Sequence, residues 1–223
     1  MSHDHKSHES SVISEVICHL PWATFSIAFG FIILGILHYV GLGIPAKASH
    51  EGYHILFHSF HYLHIIYAVV GTMVTFSRFS KAWVRGVIIS IISPIFFCTV
   101  SDIALPTLAG KLLGVDMHIH ICFISELSNI VPLLVIGLIT GVALSGHNEK
   151  ALGFFSLGSH FVHILISSLA SLFYMVSYGF DGWYDTMGLL FLFLLVAVVI
   201  PCTLSDVVVP WYFAQKKHEK HTN

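Results

Sequence analysis

The chain has 223 residues, of which 56% are hydrophobic and only 10% are charged. Soluble globular proteins carry about 25% charged residues, so the composition excludes an ordinary soluble domain and predicts an all-α integral membrane protein. The net charge of −2, counted with neutral histidines, says little about partners, and no nucleic-acid partner is predicted. The lipid bilayer is the partner that this composition predicts.

Six apolar segments are long enough to cross a bilayer as helices, which takes about 20 residues each. They cover residues 21–43, 54–77, 84–105, 121–144, 154–177 and 187–211. The second and fifth segments carry polar residues in their first halves, so they match a spanning helix less closely than the third and sixth. We therefore expect six transmembrane helices.

The positions of Lys and Arg predict that both termini are cytoplasmic. Six spans place the two tails and the second and fourth connections on one side of the membrane, and that side carries eight of the ten Lys and Arg residues. Only Lys47 and Lys111 fall on the other side. Because cytoplasmic segments retain positive residues, residues 1–20, which contain histidines, and 212–223 are predicted cytoplasmic tails. A bacterial inner or plasma membrane is the expected location.

A nine-residue motif occurs twice, at 98–106 and at 202–210. Both copies read Cys-Thr-x-Ser-Asp-x-x-x-Pro, with apolar residues at the other positions. A His-x-x-His pair precedes each copy, formed by His61 and His64 in one case and by His160 and His163 in the other. The repeat predicts two three-helix units, 21–110 and 111–211. An odd number of spans inverts the second unit, so the expected fold is a 3+3 inverted-topology repeat.

Several ionisable residues lie inside the predicted spans, where such residues mark functional sites. His64 is about ten residues into the second span, roughly 15 Å deep at 1.5 Å per residue, and Cys98 is near the middle of the third. Their counterparts in the second unit have similar depths. Asp102 is one helical turn beyond Cys98, so inversion should displace Asp102 and Asp206 toward opposite faces of the membrane.

Imidazole, thiolate and carboxylate groups together are ligands for transition metals such as Zn, Fe and Cu. We therefore predict a metal site near the membrane centre, between the two units. Its predicted ligands are His61, His64, Cys98, Asp102, His160, His163, Cys202 and Asp206. Hydrogen bonding between helices is the structural alternative, and it also explains the repeated histidine pairs.

A histidine stripe leads toward this site from the predicted outer surface. His54 and His58 share a helix face with His61, and Glu126, in the outer half of the fourth span, is predicted to join them. Cys122 is interpreted as a small apolar filler. Five prolines interrupt or end the spans, and transporters use broken helices of this kind to expose backbone carbonyls. They are Pro94, Pro106, Pro132, Pro201 and Pro210.

These features favour a permease for a divalent transition-metal cation over an enzyme, and no catalytic residue is predicted. Metal binding at His and Asp would release protons, which makes proton coupling compatible with the site. The chain has no Gly-x-x-x-x-Gly-Lys-Ser/Thr motif for ATP hydrolysis. A homo-oligomer and a partner subunit are both compatible with the sequence.

Two alternatives remain open at the level of sequence. One is a membrane oxidoreductase that binds haem b or a metal centre, with His64 and His163 as axial ligands to the haem iron. The other is a pH-gated or proton-coupled carrier of a small solute, in which the histidines sense protonation.

Overall fold

The computed structural model describes residues 12–42, 45–146 and 149–215, and all the regular elements in these ranges are helical. The α-helices are α1 (Val12–Gly41), α2 (Ala46–Phe79), α3 (Trp83–Thr99), α4 (Leu105–Leu112), α5 (Cys122–Ser125), α6 (Leu127–Ser145), α7 (Glu149–Ser177), α8 (Met187–Thr203) and α9 (Val209–Gln215). Two π-helical segments join them in pairs: Val100–Ala104 connects α3 to α4, and Leu204–Val208 connects α8 to α9.

Five stretches of helix are long and apolar enough to cross a membrane. They are His19–Gly41, Ala48–Phe79, Trp83–Leu112, Leu127–Ser145 and Met187–Gln215. Helix α7 contributes a shorter apolar stretch, Phe161–Ser177. The prediction of an all-helical, multi-pass membrane protein is therefore confirmed, whereas a sixth span, the inverted repeat and the side of the termini stay predictions. Exposed apolar side chains, such as Ile32, Val84 and Ile139, provide surface that a bilayer would cover.

Helix α2 lies at the centre of the bundle, where it contacts α3, α6, α7 and α9. Two glycines let α6 approach it closely. A Cβ at Gly137 would lie 2.9 Å from Val69, and one at Gly141 would lie 2.8 Å from Met73. Small residues commonly permit such contacts between membrane helices. As a result, the inward histidines of α2 are surrounded by protein.

The repeated motif widens its helix instead of breaking it. Pro106 has no N–H to donate to the carbonyl of Asp102, four residues earlier, and its ring crowds that carbonyl. The backbone hydrogen bonds therefore change from the i→i−4 pattern to the i→i−5 pattern, so that the N–H of Leu105 bonds the carbonyl of Val100. The second copy does the same through Pro210. The breaks expected at Pro106 and Pro210 are therefore π-helical segments within continuous helices, whereas Pro94, Pro132 and Pro201 lie inside α-helices.

Each π-helical segment also frees one carbonyl, which a hydroxyl of another helix satisfies. In the first segment, the N–H of Leu105 would ordinarily bond the Ser101 carbonyl but bonds the Val100 carbonyl. The next residue, Pro106, has no N–H that could replace it. The Ser171 hydroxyl lies 3.1 Å from the Ser101 carbonyl and shares its hydrogen between this carbonyl and that of Ser167, at 2.9 Å. In the second segment, the Ser205 carbonyl accepts from Thr72 at 3.1 Å and from Ser93 at 3.4 Å. Each of these carbonyls therefore links its own helix to a neighbouring helix through a hydrogen bond.

The predicted fourth span, 121–144, is divided near its start. The short helix α5 ends at Ser125, and α6 begins at Leu127. Glu126 lies at the break with non-helical backbone angles, so it precedes the apolar helix and is not inside it. Glu126 accepts a hydrogen bond of 2.7 Å from Asn129, which satisfies the carboxylate at the helix start.

Candidate metal centre

Three residues from three helices bring possible metal-binding atoms together in the interior: His64 of α2, His163 of α7 and Cys202 of α8. Their ligand atoms all lie within 4.8 Å of one another, and the residues are only 1%, 3% and 5% exposed. The Cys202 Sγ is 3.7 Å from the His64 Nε2. Sulfur and nitrogen ligands of one tetrahedral zinc ion are separated by about 3.5 Å, so this group, the deep site, can bind a metal ion.

A carboxylate lies behind each of these histidines. The Asp102 Oδ2 accepts hydrogen bonds from the Nδ1 of His61 at 2.8 Å and of His64 at 2.7 Å. The Asp206 Oδ2 pairs with the Nδ1 of His163 at 2.6 Å. Because a carboxylate accepts and does not donate, Nδ1 carries the proton and Nε2 keeps its lone pair for a metal. The aspartates orient the histidines through these contacts, and their predicted role as metal ligands stays a prediction.

The two carboxylates differ in how fully they are bonded. The Asp102 Oδ1 accepts from the hydroxyl of Ser101 at 2.7 Å and from that of Ser167 at 3.0 Å. The Asp206 Oδ1 is buried and has no hydrogen-bond partner in the described part of the chain. The sequence explains one of the two missing bonds, because Ser167 follows His163 by four residues whereas Ala68 occupies the corresponding position after His64. The counterpart of Ser101 is Ser205, whose hydroxyl has no hydrogen-bond partner among the described residues.

Two of the imidazoles also present bare nitrogen atoms in the interior. The Nε2 atoms of His61 and His163 are buried without a hydrogen-bond partner among the described residues. Leaving a buried polar atom without a hydrogen bond costs about 1–3 kcal/mol. Such an atom in a folded protein therefore indicates a functional role, such as binding an ion. Both belong to rings whose Nδ1 is held by an aspartate, as metal-binding histidines usually are.

Asp102 and Asp206 lie at different levels along α2. Asp102 is beside His61 and His64. Asp206 packs against Gly71, where an added Cβ would be 2.8 Å from its Oδ2. Gly71 is seven residues beyond His64, or about 10 Å along the helix axis. The second carboxylate therefore extends the polar interior toward the other end of α2.

Two of the predicted ligands lie outside the three-atom group. Cys98 is 1% exposed and interacts with His64 from α3, but its sulfur does not belong to that group. His160 falls within α7, and its side chain lies outside the described residues. Both stay predictions as metal ligands.

The predicted outer track forms a gradient of burial along α2. His54 is exposed, His58 is half-buried, and His61 and His64 are buried. The rings of His54 and His58 lie 4.3 Å apart. The stripe therefore provides imidazoles from the surface to the deep site.

The sequence analysis did not identify His120, and it interpreted Cys122 as a filler. In the structure both lie beside His58, with ligand atoms of the three residues within 4.8 Å of one another. Burial, together with the neighbouring His54, lowers the pKa of His120, so its ring is largely neutral at pH 7. The available signal was the alternating spacing His118-x-His120-x-Cys122.

Comparisons with protein-family models, curated proteins and solved structures gave no match to this chain.

Proposed function

We propose that the protein is a multi-pass permease for a divalent transition-metal cation, Zn, Fe or Cu, in a bacterial inner or plasma membrane. In this proposal the chain forms a 3+3 inverted repeat with both termini in the cytoplasm. The ion passes through the deep site between the two repeats.

The deep site is the observation that carries this proposal. Two imidazoles and one thiol with mutually close ligand atoms are a donor set that suits these metals. Three protein ligands leave one position open, as in metal sites that exchange a ligand. An ion in transit needs such a site, because a fully closed tetrahedral site holds its metal permanently.

Reciprocal contacts between the two units support the inverted repeat. Ser171 lies eight residues after His163 and donates to the first π-helical segment, while Thr72 lies eight residues after His64 and donates to the second. The first long helix of each unit also packs against the second helix of the other unit: α1 contacts α7, and α6 contacts α2. Such crossed contacts are expected from a pseudo-two-fold axis through the bundle.

Unpaired polar atoms on both sides of the deep site support a path through it. On one side is the Nε2 of His61, at the inner end of the histidine stripe. On the other side are the Oδ1 of Asp206 and the hydroxyl of Ser205. A cation leaving the deep site would meet the carboxylate of Asp206, whose Oδ1 has no hydrogen-bond partner among the described residues.

The arrangement favours a metal ion over haem b at His64 and His163. A haem would place its macrocycle between the two ring nitrogens. The sulfur of Cys202 is within 4.8 Å of both histidine ligand atoms, so it falls inside the footprint of that macrocycle. These residues therefore do not fit a haem between them as they are packed. The small-solute carrier stays an alternative that transport measurements can distinguish.

Uptake into proteoliposomes tests the proposal. The purified full chain is reconstituted around a metal-sensitive dye, and Zn²⁺, Fe²⁺ or Co²⁺ is added outside, with and without a pH gradient. We expect uptake by the wild type and at least a tenfold loss in Cys202→Ser. Gly52→Ala, on the same helix as His64 and with nothing within 4 Å of an added Cβ, should retain most uptake. Metal binding without uptake in any gradient would refute the permease, and a proton flux that ignores metal would favour the solute carrier.

A further inference from the structure

The connection between α4 and α5 carries a second group of metal-binding atoms, away from the deep site. It combines His58 of α2, His120 of the connection and Cys122, the first residue of α5. The rings of His58 and His120 lie 5.6 Å apart. His120 and Cys122 are two residues apart, whereas His58 lies more than 60 residues earlier, so the tertiary fold brings His58 to the other two.

The hydrogen bonding of His58 leaves one nitrogen available. Its Nδ1 donates to the carbonyl of His54 over 2.9 Å, since a carbonyl can only accept. The other nitrogen, Nε2, is buried and has no partner in the described ranges. A backbone carbonyl commonly holds metal-binding histidines in this tautomer. His58 is therefore oriented as a ligand before any ion arrives.

His120 is held in place by a buried tyrosine. The Tyr174 hydroxyl accepts from the His120 backbone N–H at 3.2 Å and donates to the His118 carbonyl at 3.1 Å. Tyr174 is 0% exposed, so α7 anchors the connection rigidly. The Ser125 hydroxyl donates to the Ile121 carbonyl over 3.3 Å, so with its one hydrogen used it accepts from the Nε2–H of His120 over 3.2 Å. In this tautomer the Nδ1 of His120 keeps its lone pair for a metal.

The neighbouring charge suits a cation. Glu126 interacts electrostatically with both His58 and His120. Cys122 is 0% exposed, so a metal bound to its sulfur would be shielded from water on that side. The donor set, two imidazoles and one sulfur, is the same as in the deep site and selects the same class of metals.

We infer that His58, His120 and Cys122 form a second metal site, the outer site, which binds a divalent transition-metal cation at the surface end of the histidine stripe. His58 precedes His64 by six residues, so the two sites are separated by about 9 Å along α2. His61, with its unpaired Nε2, lies between them. The outer site captures the cation before it reaches the interior, and its existence does not depend on transport.

Cobalt absorption of the purified full chain tests the outer site. Thiolate ligation gives Co²⁺ a charge-transfer band that histidine tails cannot produce. We expect Cys202→Ser to keep a thiolate–cobalt band and the double variant Cys122→Ser/Cys202→Ser to lose it. In the Cys202→Ser background, His120→Ala should weaken cobalt binding at least tenfold, whereas the exposed neighbour change His118→Ala should not.

The results separate this inference from the permease. A Cys202→Ser protein with no thiolate–cobalt band, or with a band that Cys122→Ser leaves intact, would overturn the outer site while leaving the deep site in place. Thermal unfolding with and without Co²⁺ gives a second readout. If His58, His120 and Cys122 only pack together, His120→Ala will lower the midpoint equally in both conditions. If they bind metal, the cobalt-dependent part of the shift will be lost.

Discussion

Substitution of Gly71 by alanine should disturb the deep site through Asp206 alone. An added Cβ would lie 2.8 Å from the Asp206 Oδ2 and 3.1 Å from its Cγ, and the three nearest atoms all belong to this carboxylate. Ordinary van der Waals contact begins near 3.4 Å, so the carboxylate must retreat by about 0.6 Å. Its hydrogen bond to His163, now 2.6 Å, would be stretched or lost.

The expected effect on metal binding is larger than the effect on stability. Alanine in place of glycine favours a helix by about 1 kcal/mol, while overpacking costs about 1–3 kcal/mol, so the two largely offset each other. Losing the carboxylate behind a metal-binding histidine typically weakens affinity by about 10–100-fold. We therefore expect Gly71→Ala to fold normally and to bind Zn²⁺ at the deep site about 10–100-fold more weakly.

Competition titration of Zn²⁺ with a chelating dye measures this affinity, in a Cys122→Ser background that removes the outer site. Gly52→Ala is the matched control, because Gly52 lies on the same helix and a Cβ there meets nothing within 4 Å. The control should gain slight stability and keep wild-type affinity. Equal Zn²⁺ affinity in Gly71→Ala and Gly52→Ala would refute the role assigned to Asp206.

Three further substitutions follow from the same contacts. Asp102→Asn should fold but lose about 10–100-fold in Zn²⁺ affinity by the same titration, because a weaker acceptor replaces the carboxylate behind two histidines; unchanged affinity would contradict this. Ala68→Ser should supply the hydroxyl that Asp206 lacks and raise the thermal midpoint, since pairing a buried atom recovers about 1–3 kcal/mol; a lowered midpoint would argue against the pseudo-symmetry. Tyr174→Phe should cost about 1–2 kcal/mol of unfolding free energy and weaken cobalt binding only at the outer site; weakening at the deep site instead would place the role of Tyr174 elsewhere.

The sequence predicted an all-helical, multi-pass membrane protein, and its eight predicted ligands include the three residues whose ligand atoms lie close together in the structure. Charged and polar groups are so costly inside apolar helices that His64 and Cys202 stood out, and the repeated motif doubled the signal. The roles of the aspartates were not predictable in the same way. Whether Asp102 binds a metal or a histidine depends on helix rotation and on packing at the scale of a hydrogen bond, which residue spacing does not specify.

The sequence analysis interpreted the two motif prolines as helix breaks, although they are equally compatible with π-helical segments. Pro106 and Pro210 each lie four residues after the aspartate, and this spacing implies a shifted hydrogen-bond ladder as readily as a broken helix. The sequence does not show which occurs, because the outcome depends on whether another helix can satisfy the freed carbonyl. In this fold Ser171 and Thr72 do so.

The outer site was missed for a different reason. His120 belongs to an irregular connection, where no periodicity relates a residue to its neighbours in space. Its position depends on the buried hydroxyl of Tyr174, which lies more than 50 residues further along the chain. Cys122 resembled an apolar filler because His58, which completes the group with His120, is distant in sequence.

X-ray absorption spectroscopy of the Cys122→Ser protein, loaded with one equivalent of Zn²⁺, tests the central claim most directly, because among the described residues the deep site is then the remaining group of close His and Cys ligand atoms. Coordination by His64, His163 and Cys202 predicts one sulfur at about 2.3 Å and nitrogen at about 2.0–2.1 Å from the zinc. The sulfur contribution should disappear when Cys202→Ser is added. Zinc surrounded by nitrogen and oxygen alone in Cys122→Ser, or sulfur that persists after Cys202→Ser, would contradict the deep site.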